Sequence, residues 1–381
     1  MSLIANWNFP TNIKIGPGSL KEIGQSCIDL KISKPLIVTD KNLQNNEIIQ
    51  NLKNELTNSN FSLSVFSEVD TNPNDENLKE GLKKVRSGNF DGIIAFGGGS
   101  ALDLGKLLAF MAVQELPVWE FEDLSDNWKK ANNKGILPII AIPTTAGTGS
   151  EVGRAGVLTD NLNKVKKVIF HPEMLPKRVI CDPNLTLKLP KNLTAGTGMD
   201  AFAHCLEAYC SPGYHPMADG IALSGMKLVK ENLIKAYENG ENIEARTNML
   251  SAALMGATAF QKGLGAIHAL SHPIGAIYNT HHGTTNAVVM KKVIDFNKEH
   301  IKDRIEKLSM FLEIKNGFKG FTDYIQYLCK NLDIPGNLRE IGVKEDKLEL
   351  IANMAIVDPT ASGNPKELNF NNTLSLLKEC L

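Results

Sequence analysis

The chain has 381 residues, more than one typical hydrophobic core holds, so its length predicts roughly two to three domains. Hydrophobic residues make up 43% and charged residues 22%, as in ordinary globular proteins. The formal net charge of −1 disfavours a nucleic-acid or acidic-membrane binder, because no broad electrostatic attraction to a polyanion results.

Neither a secretory signal nor a membrane span is predicted. The first ten residues lack a basic segment followed by a long apolar stretch. The most apolar run, 135–143, is far shorter than the ~20 residues that cross a bilayer. The six cysteines are scattered without a CxxC pair, which indicates reduced thiols. We therefore expect a cytoplasmic protein.

Short β-rich runs alternate with helical segments before residue 190. The predicted strands are 35–40, 61–66, 91–96 and 137–142, and helical periodicity is clearest over 76–86 and 101–113. This alternation predicts βαβ units and a mainly parallel sheet.

Strand signals nearly vanish after residue 190. Long segments rich in Ala, Leu, Met, Glu and Lys follow, including 219–237, 243–260 and 300–311, and predict a helical bundle. The prolines of Cys181–Pro190 interrupt both periodicities. We therefore predict an α/β domain over residues 1–187 and an all-α domain over residues 188–381.

Two polar, glycine-bearing loops follow predicted strands. Phe96-Gly-Gly-Gly-Ser100 precedes a helix, so its free amides and the helix N-terminus suit an anion, although a tight strand-to-helix turn explains the glycines equally well. The pattern is not GxGxxG. The second loop, Ile142-Pro-Thr-Thr-Ala-Gly-Thr-Gly-Ser-Glu151, offers hydroxyls that suit pyrophosphate and ribose. Such loops mark the ligand-binding edge of an open α/β sheet.

Asp40 ends the first clear strand. A carboxylate there can accept hydrogen bonds from a ribose 2′-hydroxyl and repel a 2′-phosphate, which would favour NAD over NADP. The residue type is equally suited to capping a helix that begins near Leu43.

Histidines and one carboxylate cluster in the helical half. Asp200 and His204 are spaced i, i+4 and share a helix face, as do His268 and His272. His281 and His282 follow soon after. One oxygen and three nitrogen donors suit Fe²⁺ or Zn²⁺, with Mn²⁺, Co²⁺ and Ni²⁺ as alternatives. Spacing alone leaves open which histidines bind, and a single histidine on an apolar helix is usually a core residue.

These stretches together resemble the iron-containing (group III) alcohol dehydrogenases over nearly the whole chain. Four ordered motifs carry the resemblance: Gly97-Gly-Gly-Ser-Ala-Leu-Asp-Leu-Gly-Lys106, Pro143-Thr-Thr-Ala-Gly-Thr-Gly-Ser-Glu-Val152, Thr194-Ala-Gly-Thr-Gly-Met-Asp-Ala-Phe-Ala-His204, and His268-Ala-Leu-Ser-His-Pro-Ile-Gly275 with His282-Gly-Thr-Thr-Asn-Ala287.

The resemblance implies a dinucleotide-binding α/β domain, a helical metal-binding and catalytic domain, and an active site in the cleft between them. The implied metal ligands are Asp200, His204, His268 and His282, and His272 lies beside the metal without binding it. The implied cofactor-binding residues are Asp40, Asn72, Gly97, Gly98, Gly99, Ser100, Asp103, Thr144, Thr145, Thr148, Ser150 and Lys166. The cofactors expected are NAD(H) and one divalent metal, Fe²⁺ first and Zn²⁺ as the alternative.

The expected reaction is hydride transfer between NAD(H) and a small alcohol or aldehyde. A divalent ion lowers the pKa of a hydroxyl, and His272 is the candidate for passing the proton to solvent. Arg154 or Lys262 is a candidate partner for a substrate carboxylate, as in a hydroxy acid or semialdehyde, and a surface cation or salt bridge is the alternative. The loop 260–265 is one residue shorter than is common in the family, so substrate identity does not carry over.

Two other classes of protein compete with this interpretation. Glycerol-dehydrogenase-like and dehydroquinate-synthase-like enzymes share the overall fold, but the motifs around Asp200 and His272 fit the iron-type group better. A non-catalytic metal- and nucleotide-binding protein is the alternative of another class. A metal-binding structural or regulatory protein without turnover is disfavoured, because it leaves the two phosphate loops unexplained. The resemblance alone implies a homodimer or larger homo-oligomer.

Overall fold

The computed structural model describes residues 11–163 and 165–381, which form two compact units. One unit comprises the described residues up to 145 together with those of 149–187. The other comprises residues 146–148 and 188–381. The first is an α/β unit and the second is helical, so the predicted fold class is confirmed.

A six-stranded parallel sheet forms the centre of the α/β unit, in the order β1-β8-β5-β4-β2-β3. The strands are β1 (Asn12–Ile15), β2 (Pro35–Val38), β3 (Val65–Phe66), β4 (Gly92–Gly97), β5 (Ile139–Pro143), β6 (Ala155–Asp160), β7 (Val165–Phe170) and β8 (Arg178–Cys181). Strands β6 and β7 form a separate antiparallel hairpin.

Strand β4 is apolar at consecutive positions because the sheet is covered on both faces. Ile93 and Ala95 belong to the hydrophobic core on one face, and Ile94 and Phe96 to the core on the other. The helices of this unit are α1 (Ile23–Asp29), α2 (Glu47–Asn58), α3 (Asp75–Gly88) and α4 (Gly99–Met111). Leucines of α4 pack on the first face and leucines of α2 on the second.

The strand order places a topological switch point between β2 and β4. After β2 the chain adds β3 on one side, then returns to add β4 and β5 on the other. Loops that leave two such strands diverge in opposite directions, which opens a crevice at their carboxyl ends. The sheet therefore positions the segments that follow β2 and β4 for ligand binding.

The helical unit is built around α5, which is buried along almost its whole length. Its helices are α5 (Lys191–Cys210), α6 (Pro216–Glu238), α7 (Ile243–Ala259), α8 (Ala266–Tyr278), α9 (His282–Phe311), α10 (Gly317–Asn331), α11 (Leu348–Ala355) and α12 (Phe370–Cys380). Helices α6, α7 and α9 all pack against α5. A helix surrounded in this way carries no polar stripe, so its polar residues need partners inside the protein.

Several elements differ from the sequence-based expectation. The predicted strand 61–66 is reduced to Val65–Phe66, which pair with Ile37 and Val38 of β2, and the residues before it are largely solvent-accessible. Strands β1 and β8 and the β6–β7 hairpin were not predicted from the sequence. No helix in the described ranges is both long and apolar enough to span a bilayer. All six cysteines are free thiols.

Candidate metal centre and nucleotide-binding loops

Three helices of the helical unit bring the four predicted metal ligands together. Helix α5 supplies Asp200 and His204, α8 supplies His268, and α9 begins at His282. Oδ1 of Asp200 lies 3.7 Å from Nε2 of His204, 3.6 Å from Nε2 of His268 and 3.5 Å from Nε2 of His282. Three imidazoles thus point the same ring nitrogen at one carboxylate oxygen.

This donor set fits a divalent transition metal. Bond lengths of about 2.1 Å to nitrogen and oxygen imply donors roughly 3.4 Å apart around a tetrahedral ion, close to the distances from Asp200 Oδ1. Donor atoms of Asp200, His204 and His268 all lie within 4.8 Å of one another. Their side chains are almost completely buried, and a carboxylate among imidazoles in such surroundings suits Fe²⁺ or Zn²⁺.

The structure separates the roles of the two adjacent histidines. Nδ1 of His281 accepts the backbone N–H of Thr284 at 3.3 Å and so caps the N-terminus of α9. His282 instead faces Asp200. The approach depends on Gly283, since a Cβ there would lie 2.1 Å from the carbonyl oxygen of Gly196 on α5.

Burial and charge act against each other at this centre. Burial raises the pKa of Asp200, but the charges of His204, His282 and His268 outweigh it and hold that pKa well below its usual range. Burial lowers the pKa of His204 to about 4. Burial also acts on His268, but the carboxylates of Glu207 and Asp200 raise its pKa to about 10.

Two residues at the centre were absent from the sequence-based prediction. Oε2 of Glu207 lies 2.5 Å from Nδ1 of His268. Nδ2 of Asn286 donates to Oδ1 of Asp200 at 2.8 Å and lies 3.2 Å from Nε2 of His282. The spacing offered a signal for both, since Glu207 follows His204 by three residues and Asn286 follows His282 by four.

His272, the predicted proton carrier, borders the same group. Its ring stacks on that of His282, with centroids 5.4 Å apart. Nδ1 of His272 lies 2.9 Å from Oδ2 of Asp358, and the other oxygen of Asp358 accepts the N–H and hydroxyl of Thr360. The carboxylate therefore fixes the orientation of the His272 ring.

The predicted nucleotide loops lie side by side at the carboxyl ends of β2, β4 and β5. Gly97 has φ +146°, and a Cβ on it would lie 3.3 Å from Oδ2 of Asp40. A Cβ on Gly98 would lie 3.5 Å from Cγ2 of Thr145. Helix α4 starts at Gly99, so its first amides face this loop edge. Oδ1 of Asp40 accepts two backbone N–H groups of the following turn, which is the capping role that its residue type also suits.

Four of the other predicted cofactor residues of the α/β unit form two polar pairs. Nζ of Lys166 donates to Oδ1 of Asn72 at 2.7 Å, and burial lowers the pKa of Lys166 to about 8. Oγ of Ser150 donates to Oδ1 of Asp103 at 2.5 Å. Ser100 is the second residue of α4, Thr144 directly follows β5, and Thr148 belongs to the segment 146–148 of the helical unit.

Family profiles match both halves of the chain. The profile described as iron-containing alcohol dehydrogenase matches residues 10–183, and that of the C-terminal part of the Fe-containing alcohol dehydrogenase family matches residues 194–381. The chain belongs to the iron-containing alcohol dehydrogenase family. The predicted enzyme class is thereby confirmed: an oxidoreductase acting on an alcohol or aldehyde with NAD(H) and one divalent metal.

Full-length relatives agree with this membership. The chain is 36% identical to a 4-hydroxybutyrate dehydrogenase from Cupriavidus necator, with 97% of this chain and 98% of that protein covered. It is 32% identical to an NAD-dependent methanol dehydrogenase from Bacillus methanolicus, with 99% and 100% covered. The crystal structure of a 1,3-propanediol oxidoreductase superposes with a TM-score of 0.94 at 32% identity, covering 99% of this chain and 100% of that one. Family membership thus favours the iron-type enzyme over the glycerol-dehydrogenase-like, dehydroquinate-synthase-like and non-catalytic alternatives.

Lys262 and Arg154, the two candidate partners for a substrate carboxylate, have different surroundings in this alcohol dehydrogenase. Nζ of Lys262 donates to Oδ1 of Asp219 at 2.7 Å and is almost completely buried. The guanidinium of Arg154 lies 5.2 Å from the ring centroid of Phe170, and no carboxylate among the described residues lies within ion-pair distance of it. Burial lowers the pKa of Arg154, and the charge of Asp123 opposes that effect.

Proposed function

We propose that the substrate is a small ω-hydroxy acid or its semialdehyde, with Arg154 binding the carboxylate. The observation that carries this proposal is the half-buried guanidinium of Arg154, which has no ion-pair partner among the described residues. A buried cation favours an anionic ligand, because the ligand replaces the lost hydration. The full-length similarity to a 4-hydroxybutyrate dehydrogenase supports the same substrate class.

Lys262 is the weaker of the two candidates. Asp219 already neutralises its ammonium group, and Arg304 donates to the other oxygen of the same carboxylate at 2.8 Å. Releasing Lys262 to a ligand would leave part of a buried ion pair without its partner, which is costly. Its pairing supports a structural role, the alternative that the sequence left open.

The experiment compares a charged and an uncharged aldehyde of matched length, 4-oxobutanoate and butanal, with NADH. We expect Arg154→Gln to lower kcat/KM for 4-oxobutanoate by roughly 10- to 100-fold, the value of a charge-assisted hydrogen bond. The value for butanal is expected to change less than threefold. Lys262→Met is the control, and we expect it to leave the ratio of the two kcat/KM values unchanged. An enzyme that shows no preference for the acid would refute the proposal.

We further propose that Asp200, His204, His268 and His282 hold the metal, which makes residues 188–381 the metal-binding and catalytic domain. A divalent ion held there would polarise the substrate oxygen. Asp200, His204 and His268 are almost completely buried, and His282 is the most accessible of the four, with 28% of its side chain exposed. Metal analysis of anaerobically purified protein, and of His268→Ala beside it, tests this ligand set.

His272 is proposed as the group that passes the hydroxyl proton to solvent. Its Nδ1 is tied to Asp358, so Nε2 is the atom that exchanges the proton. Asp358 also keeps the ring stacked beside His282. We expect His272→Ala to lower kcat by about 10²- to 10⁴-fold while retaining the metal. Unchanged activity and an unchanged pH profile would assign His272 to packing alone.

Residues 1–187 are proposed to bind the dinucleotide, through the twelve cofactor residues named above. Asp40 is proposed to make the enzyme prefer NAD(H), since its Oδ2 lies beside the glycine loop. We expect Asp40→Ala to reduce the ratio of kcat/KM for NAD⁺ to that for NADP⁺ by at least tenfold, because the variant no longer repels the 2′-phosphate. A ratio that stays unchanged would leave Asp40 with its turn-capping role alone.

The cytoplasm is proposed as the compartment, supported by six cysteines that all remain thiols. A homodimer or larger homo-oligomer is proposed from the family resemblance. Light scattering coupled to size-exclusion chromatography measures the oligomer directly, and a monomer at micromolar concentration would refute it.

A further inference from the structure

Glu207 is a buried carboxylate that lies behind one of the proposed metal ligands. It is carried by α5, seven residues after Asp200. Only 6% of the residue is exposed, so both of its oxygens need partners within the protein. Its side chain points to the first turn of α8, where His268 is the third residue.

The two oxygens of Glu207 contact that turn at different atoms. Oε2 lies 2.5 Å from Nδ1 of His268, and Oε1 accepts the backbone N–H of Ile267 at 2.6 Å. A neutral imidazole that donates through Nδ1, the form that binds a metal ion, keeps the lone pair of Nε2 available on the opposite side of the ring. On that opposite side, Nε2 of His268 faces Oδ1 of Asp200 at 3.6 Å.

The start of α8 also has a second, independent cap. The N-cap residue Gly265 has no side chain, and the N–H of Ala266 is accepted instead by Oδ1 of Asn364 at 3.1 Å. A Cβ on Gly265 would lie 3.2 Å from Oε1 of Glu207 and 2.9 Å from Oδ1 of Asn364. The glycine thus leaves room for both acceptors. The hydrogen bonds of Asn364 go to Ala266, Asn297 and Lys366, and none among the described residues goes to the imidazole. Replacing Asn364 therefore tests the helix cap separately from the orientation of the ring.

We propose that Glu207 is a positioning residue for the metal centre: it holds His268 as the tautomer, and in the orientation, that binds the ion through Nε2. Removal of such an outer carboxylate typically weakens metal binding 10- to 100-fold. The inference rests on the ligand set proposed above, because it requires His268 to bind the metal.

The test measures metal affinity rather than turnover. Apoprotein is titrated with Co²⁺, followed by its visible absorption, and with Zn²⁺ against a chromophoric chelator. In Glu207→Gln the amide still fills the space, but its single oxygen cannot accept from both Ile267 and His268. We expect its dissociation constants for both ions to rise 10- to 100-fold, with a shifted Co²⁺ absorption band. NAD⁺ affinity is expected to stay within twofold.

Asn364→Ala is the matched control, because it removes the other cap of the same helix. We expect it to change metal affinity by less than threefold. A metal affinity of Glu207→Gln within threefold of the parent protein would overturn the inference. An equal loss of metal affinity in Asn364→Ala would also overturn it, because the effect would then come from the start of the helix. Circular dichroism of each apoprotein reports its folding. If Glu207→Gln does not fold, the same threefold criterion applies to Glu207→Asp, whose shorter side chain cannot reach both donors.

A metal titration of His268→Ala distinguishes a failure of the proposed ligand set from a failure of the proposed role of Glu207. Loss of metal binding in His268→Ala with normal binding in Glu207→Gln refutes only the role of Glu207. Normal binding in His268→Ala refutes the proposed ligand set, and the inference with it.

Discussion

Replacing Glu151 with Gln is expected to stabilise the α/β unit above neutral pH. Glu151 is 1% exposed, and its Oε1 is a buried atom without a hydrogen-bond partner among the described residues. Burial raises its pKa from 4.5 to about 7, although the charge of Lys106 opposes the shift. At 1.36 kcal/mol per pH unit, this difference corresponds to about 3 kcal/mol.

The sign of the effect follows from proton binding. Below pH 4.5 the carboxyl of Glu151 is protonated in both folded and unfolded chains, so it costs nothing. Between pH 4.5 and 7 the folded chain holds a proton that the unfolded chain has lost, so the free energy of unfolding falls as pH rises. Above pH 7 the full cost remains. Gln has no proton to lose, so we expect Glu151→Gln to gain up to about 3 kcal/mol at pH 8 and almost nothing at pH 4.5.

Urea unfolding at pH 5, 6, 7 and 8, followed by circular dichroism, measures this difference. Glu115→Gln serves as the control, because Glu115 is exposed and its replacement is expected to have little effect at any pH. A stability difference between Glu151→Gln and the parent protein that does not grow from pH 5 to pH 8 would refute the burial argument.

Three further outcomes are expected. In Gly283→Ala the new methyl group meets the Gly196 carbonyl, so we expect the variant to lose roughly 1–3 kcal/mol of stability and to bind the metal more weakly. The control Gly220→Ala has open space around the new methyl group and is expected to gain up to about 1 kcal/mol in the same urea titration. The NAD⁺ affinity of the parent protein, measured by calorimetry, is expected to fall above pH 8, where Lys166 loses its charge, and that of Lys166→Met is expected not to change with pH. The same pH dependence in both proteins would exclude a contact between Lys166 and a cofactor phosphate. Asn286→Ala leaves the Asp200 carboxylate without its amide donor, so we expect the apoprotein to have a lower Tm and added Zn²⁺ to raise that Tm by more than in the parent protein. A Zn²⁺-induced rise in Tm equal to that of the parent protein would contradict this.

Local sequence patterns were sufficient for the elements with strong periodicity. The apolar strands β4 and β5 and the helices α3, α4, α6 and α7 form where the patterns predicted them. Strand β1 was missed because its residues are mostly exposed and it pairs with β8, more than 160 residues away in the chain. The β6–β7 hairpin was missed for a different reason: its partly buried strands carry Thr, Lys and Asp among the apolar residues.

The sequence by itself determined the family, the fold class and the pairs that a helical spacing brings together, such as Asp200 with His204. Only the tertiary structure decided which distant side chains meet. Local spacing left His281 and His282 as alternatives, and the tertiary structure turns His282 toward Asp200. It also places Glu207 against His268 and pairs Lys262 with Asp219. A spacing of three or four residues defines neighbours on one helix, but contacts between α5, α8 and α9 depend on how those helices pack, which no local pattern encodes.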